Sequence, residues 1–346
     1  MKKKHIIQLI KYYAEKNDVG FRNEAYAIAK DFDDMGDSQL AEYIISQLSN
    51  ANIFVPQVME HTSDFFERVE IQGSDSLLLP DPITNDLLGA VNAVERRLGI
   101  HKFMFSGAPG TGKTEAVKQF ARVLNREIYM VDFSRIIDSK LGQTQKNLSK
   151  LFQEINAFVQ PEKALIFFDE FDTIAMDRVS AHDLREMGRA ASSLLKLMDH
   201  MNDRVVLVAT TNLFSHFDKA IIRRFDSVID FDRYTEEDLM DIAEKLLNTY
   251  LVKMKLENRD IRLFRKIIKL ANPLPMPGTL KNMIKSALAF SDMQGLDYLR
   301  RLYSQVCGHA PIDLQQLKAQ GFTVREIEIL KKESKSSVAR KLRGEM

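Results

Sequence analysis

Eight residues, Gly107-Ala108-Pro109-Gly110-Thr111-Gly112-Lys113-Thr114, fit the spacing G-x-x-x-x-G-K-[ST]. That spacing suits a bound polyphosphate. Gly107, Gly110 and Gly112 leave room for backbone N–H groups to wrap anionic oxygens, with Pro109 and Thr111 completing the loop, and a helix behind it adds its positive end. Lys113 would reach the β- and γ-phosphates, and the Thr114 hydroxyl would ligate Mg²⁺. Further along, the apolar run Ala164-Leu165-Ile166-Phe167-Phe168 ends in Asp169-Glu170. Asp169 would hold Mg²⁺, directly or through water. Glu170 is placed to polarise an attacking water, because phosphoryl transfer needs a positioned acceptor more than a strong base. Asn212 closes a third run, Val205 to Thr211, and would orient that water and sense the γ-phosphate. Taken singly, these are a glycine turn, a helix cap and a turn asparagine. In this order they imply a nucleoside triphosphate site.

The elements that must position them are legible. Phe103-Met104-Phe105 reads as a buried strand before the glycine loop, and Ala116, Val117, Phe120, Ala121 and Leu124 fall at helical spacing after it. A helix from Ile83 leads in. Glu127–Phe133 is a strand, Leu148, Leu151, Phe152 and Ile155 mark a helix, and another helix spans about Asp183 to Met201. Continuous apolarity in 164–168 and 205–211 marks strands covered on both faces. Ser227 to Phe231 is a last short strand. Such β/α alternation predicts a doubly wound parallel sheet over 80–232, with ligands at the carboxyl ends of its strands.

GAPGTGKT, ALIFFDEFD, VVLVATTN and Phe217-Asp218-Lys219-Ala220-Ile221-Ile222-Arg223-Arg224-Phe225-Asp226 together resemble the AAA family of ring ATPases, over about residues 80 to 292. The resemblance implies the P-loop AAA+ fold, Mg²⁺-dependent ATP hydrolysis and a homo-oligomeric ring, with a hexamer the expected size. It places Arg223 and Arg224 where relatives reach into a neighbour's ATP site. It also implies a helical lid over 233–295, consistent with a helix start at Thr235 and Asp238, and puts Lys281 where many relatives have a second phosphate-sensing cation. Asp138 to Thr144 aligns with the central pore loop, but Lys140 stands where threading relatives carry an aromatic residue. This argues against a processive unfoldase and for a ring that rearranges or switches a partner.

The flanks say less. Residues 1–75 read as a helical domain with no catalytic constellation, and 74–82 as a linker. The tail, 311–346, resembles a helix-turn-helix that would turn Lys335, Ser336, Ser337 and Arg340 toward DNA. From Lys331 to Arg343 six basic residues face one acid, Glu333. Against this, Glu328, Lys332 and Glu333 occupy positions where such motifs want a small residue, a glycine and an apolar residue. Net charge is +1, from 49 basic and 48 acidic residues, so no global field draws nucleic acid or membrane. A lone cysteine, Cys307, excludes an internal disulfide and suits a reducing, cytoplasmic setting. No apolar run approaches membrane-spanning length, and the basic start lacks an uninterrupted apolar stretch behind it, so no export is expected. Two roles compete. One is remodelling of a protein partner, and here the helical region before the ATPase resembles bacterial AAA proteins paired with a subtilisin-like protease in phage or plasmid defence. The other is a DNA-binding AAA+ regulator acting through the tail.

Overall fold

The computed structural model describes residues 3–14, 17–34, 41, 44–45, 48, 63–70, 78–137, 142–175, 183–256, 258–292 and 295–343. They divide into two units, Met1–Thr62 and Ser63–Met346. In the first, α1 (Lys3–Ala14) and α2 (Asp18–Asp34) pair. Ala25, Ile28 and Ala29 supply the buried face, and His5 Nδ1 lies 2.7 Å from Glu24 Oε1.

The second unit is built on a six-stranded sheet ordered β1-β3-β4-β5-β2-β6. Its first elements are β1 (Phe66–Val69), α3 (Asp81–Glu95), β2 (Lys102–Ser106), α4 (Lys113–Val123), β3 (Glu127–Val131), α5 (Phe133–Ile136) and α6 (Gln143–Asn156). They are followed by β4 (Ala164–Phe168), α7 (Asp172–Ala175), α8 (Asp183–Asp199), β5 (Val206–Thr211), α9 (Lys219–Ile222) and β6 (Ser227–Asp230). Strands β2 to β6 pair in parallel, and β1 adds an antiparallel edge against β3. Residues 66–69 therefore form a strand, not the helix expected there.

Strand side chains alternate between two cores. Phe103, Phe105, Leu165, Phe167, Val206 and Val208 pack under α3 and α4. Met104, Ile166, Phe168, Leu207 and Ala209 pack under α6 and α8. Both faces of the parallel sheet are covered, and its middle strands are apolar up to the polar residues at their ends, Ser106 in β2 and Thr210 and Thr211 in β5.

Beyond β6 the chain is helical: α10 (Glu236–Lys253), α11 (Ile261–Ile268), α12 (Pro277–Ala289), α13 (Asp297–Cys307), α14 (Leu314–Ala319), α15 (Val324–Lys331) and α16 (Lys335–Arg343). Thr235 and Asp238 form a reciprocal capping box that starts α10. Leu317, Phe322, Ile327, Leu330 and Val338 of the tail join Leu247, Phe264, Ile284 and Leu302 in one core. Lid and tail are thus packed as one helical body. Among the described residues, no helix is long and apolar enough to cross a membrane.

Candidate functional site

Strand β2 ends at Ser106 and the chain turns sharply. Gly107 has φ +146°, and a Cβ there would lie 3.0 Å from Phe231 Cβ, so only glycine fits without movement. Gly112, at φ +93°, caps α4, whose apolar face (Ala116, Val117, Phe120, Ala121) is buried under the sheet. Lys113 and Thr114 therefore sit in the first turn of a firmly anchored helix. The Lys113 ammonium is nearly buried. It donates to the carbonyls of Gly107 (2.7 Å) and Ala108 (2.9 Å) and to Asn212 Oδ1 (2.8 Å). Burial lowers its pKa, and the carboxylates of Asp232, Asp169 and Asp172 work against that. Phosphate oxygens are stronger acceptors than these neutral ones and would compete for the same ammonium.

At the end of β4, Asp169 accepts from the Thr210 hydroxyl. The same oxygen accepts from the Glu170 amide at 3.1 Å, and the Thr210 carbonyl takes the Phe171 amide at 2.9 Å. Glu170 is exposed and left-handed, φ +49°, an uncommon conformation for a residue with a side chain. The strain sits between two anchors: β4 on one side, and on the other buried Phe171, which stacks on Phe168 and meets Phe217 and Phe225 edge-on. Thr211 donates to Asp172 at 3.0 Å and accepts from Leu213 N at 3.0 Å, which fixes the turn carrying Asn212.

These strand ends open into a cleft of about 1400 Å³. Of the residues expected from the sequence, Pro109, Gly110, Gly112, Lys113, Thr114, Asp169, Glu170, Asn212 and Lys281 line it. Leu78, Ile242, Leu246 and Pro277 give it an apolar wall, while Lys245 and Lys118, the latter paired with Glu115 at 2.8 Å, line it as well. Gly107 and Thr111 belong to the loop but do not line the cleft. Thr114 and Asp169 both line the cleft and offer hard oxygens, and among the described residues no group of three or more His, Cys, Asp or Glu could hold a metal alone. That donor set fits Mg²⁺, which uses one or two protein oxygens plus substrate phosphates.

Arg223 and Arg224 do not line the cleft. Arg224 pairs with Asp199 at 3.2 Å. Arg223 is exposed and its side chain bonds no described residue. The nearby acids are engaged elsewhere: Asp218 caps Ala220 N at 2.7 Å, and Asp226 accepts from the amides of His101 and Lys102. The pore-loop residues 138–141, Lys140 included, lie outside the described residues.

In the tail, α15 and α16 are joined by a three-residue turn. Lys332 takes the left-handed conformation there, φ +55°, and its ammonium lies 2.8 Å from Asp297. Glu328 accepts from Lys335 N at 3.2 Å. Glu333 sits between Lys341 (2.7 Å) and Lys331 (3.2 Å), whose hydrogen bonds hold its carboxyl below the usual range. All three residues that break the helix-turn-helix pattern have partners. Lys335, Ser336 and Arg340 are exposed, and Ser337 is half-buried.

Sequence reasoning missed Thr210, Asp232 and Tyr234. Thr210, a polar residue inside an apolar strand, carried a weak signal; the other two carried none.

Residues 103–233 match the family model described as ATPase family associated with various cellular activities (AAA). Over 183 residues the chain is 36% identical to an uncharacterized AAA family ATPase, y4kL, of Sinorhizobium fredii, covering 50% of this chain and 54% of that one. Over 187 residues it is 28% identical to a putative 26S proteasome regulatory subunit homolog of Methanothermobacter thermautotrophicus, covering 54% and 48%. The chain thus spans about half the length of these relatives. Among solved structures, a chain of the E. coli MS115-1 HORMA:CdnC:Trip13 complex aligns with TM-score 0.56 at 16% identity, covering 72% of this chain and 97% of that one. The FIGL-1 AAA domain in complex with ADP aligns with TM-score 0.52 at 17% identity, covering 74% and 91%. At such identities the likeness is one of fold.

Proposed function

We propose, on the match of residues 103–233 to the AAA-family ATPase model, that the chain binds ATP with Mg²⁺ in the cleft and hydrolyses it within a homo-oligomeric ring, a hexamer. One observation carries this reading. Lys113, Thr114, Asp169, Glu170, Asn212 and Lys281 converge on a single cleft, while Arg223 is exposed outside it with no side-chain partner among the described residues. In the proposed mechanism the loop amides and Lys113 bind the β- and γ-phosphates, and Lys281 reaches them from the lid. Asn212 orients the attacking water and Glu170 draws its proton. Thr114 and Asp169 would hold Mg²⁺, which would supply charge neutralisation on the phosphate oxygens. Arg223 of the adjacent copy offsets charge developing on the transferred phosphoryl group. Arg224, bound to Asp199, serves by fixing the segment that presents Arg223.

Lys113→Ala should abolish ATP binding, measured by calorimetry. Glu170→Gln should keep binding, lose turnover, and trap an ATP-bound ring visible by light scattering. A Glu170→Gln protein that stays monomeric with ATP at micromolar concentration would refute the ring.

The work of the ring is proposed to fall on a protein partner, with a subtilisin-like protease as the first candidate and co-elution of the two as its test. A second reading, action on DNA, is favoured by one observation: Lys335, Ser336 and Arg340 are exposed on the second helix of a helix-turn-helix arrangement. ATPase stimulation by duplex DNA that falls steeply with salt and disappears in Lys335→Glu/Arg340→Glu would establish it. The absence of such stimulation leaves the protein partner.

A further inference from the structure

The phosphate loop is gripped from behind by two residues that do not line the cleft, Asp232 and Tyr234. Both lie in the short segment between β6 and α10, where the sheet domain passes into the lid. In a trans peptide the carbonyl and the following N–H point in opposite directions, so holding one aims the other. Asp232 Oδ1 accepts the Ala108 N–H at 2.6 Å, which turns the Gly107 carbonyl onto Lys113 Nζ at 2.7 Å. The Tyr234 hydroxyl donates to the Thr111 carbonyl at 2.8 Å, which turns the Gly112 N–H away from Tyr234. The lid adds a third hold: Gly278 N–H donates to the Gly110 carbonyl at 2.7 Å and so turns the Thr111 N–H away from the lid. A Cβ on Gly278 would lie 2.9 Å from Gly110 Cα, so no side chain can stand between lid and loop. The Tyr234 ring packs against both the lid core and the sheet core under α4.

We propose that Asp232 and Tyr234 are positioning residues for nucleotide binding: they pre-set the peptide planes of the phosphate loop and, through the Tyr234 ring, tie that setting to the lid. The inference rests on the reading of the cleft as a nucleoside triphosphate site. Pre-set N–H groups bind a polyphosphate without the cost of reorienting them, so the holds stabilise the bound state. By linkage, occupancy of the loop also stabilises the lid that carries one of the holds. Asp232 opposes the effect of burial on Lys113, which helps keep that side chain charged.

Tyr234→Phe keeps the ring and deletes one bond. Asp232→Ala deletes another, whereas Asp232→Asn keeps an oxygen for the Ala108 N–H and sheds a negative charge near the phosphates. ADP affinity by calorimetry should fall about 3- to 10-fold in Tyr234→Phe and Asp232→Ala, and should be kept or improved in Asp232→Asn. Hydrogen exchange should show less ADP-induced protection of α12 in Tyr234→Phe, with a nucleotide-free melting midpoint lowered by no more than the few degrees that one hydrogen bond accounts for. Tyr234→Phe alone carries the test if Asp232→Ala fails to fold. Wild-type ADP affinity and α12 protection in Tyr234→Phe would overturn the inference while leaving the ATPase reading intact. A fall in affinity with a nucleotide-free melting midpoint lowered by well over the few degrees of one hydrogen bond would overturn it too, since that reports disrupted packing. A wild-type protein that binds neither ADP nor ATP would overturn both.

Discussion

Thr210 ties the Asp169 carboxylate to the Glu170 backbone through one hydroxyl, which donates to Asp169 and accepts from the Glu170 amide. Thr210→Val keeps the shape and removes both bonds. Asp169 and Glu170 should then lose alignment while the phosphate loop is untouched. The expected result is a kcat lower by about 10-fold or more, with ATP affinity changed less than about 3-fold, read from steady-state kinetics beside direct binding. The two arginines separate in the same way. Arg223→Ala, with no side-chain bond to lose among the described residues, should cut turnover by about 10³-fold or more without weakening ATP binding. Arg224→Ala strips the partner from Asp199 and should lower the melting midpoint as well. If Arg224→Ala leaves the melting midpoint unchanged while Arg223→Ala lowers it, the assignment is reversed.

Among the elements, the aromatic cluster of Phe168, Phe171, Phe217 and Phe225 joins the end of β4 to the segment bearing Arg223. Phe171→Ala would open a cavity in a fully buried site, at a cost of about 3–5 kcal/mol in urea denaturation. At the far end, α15 is bound to α11 by Lys266 and Glu326, 2.7 Å apart, with Glu326 nearly buried. Burial pushes the Glu326 pKa up, but hydrogen bonds from Lys266 and Thr323 outweigh it and hold the carboxyl below its usual range. A depressed carboxylate pKa contributes stability that is present above the unfolded-state value and is lost as pH falls through the folded one. The tail helices should therefore loosen below the ordinary carboxylate range, and Lys266→Ala should loosen them at neutral pH. The Lys266 change should cost less than the roughly 3–5 kcal/mol of a fully buried pair, because 28% of that side chain is exposed. Hydrogen exchange in α15 and α16 reads both effects, and unchanged exchange would count against the tether.

For the whole molecule, what the sequence made legible was what repeats or alternates. Strands β4 and β5 announced themselves because burial on two faces demands unbroken apolarity, and the glycine loop because a polyphosphate demands bare backbone. The edge strand β1 was not legible, since Phe66–Val69 is short and its central Glu67 and Arg68 face solvent. Asp232 and Tyr234 were invisible because contacts to loop atoms more than a hundred residues away define them. The tail looked broken at Lys332 for want of a glycine, yet the ion pair with Asp297 offsets the strained turn.

The proposed cleft needs a second copy to complete it. Glu170→Gln and Arg223→Ala proteins should each be inactive alone. Mixed in equal amounts, about a quarter of the interfaces in a randomly assembled ring pair an intact Glu170 with an intact Arg223. ATPase activity should then reappear on mixing. A mixture as inactive as its components would place Arg223 in its own subunit's chemistry, or in none, and contradict the shared site.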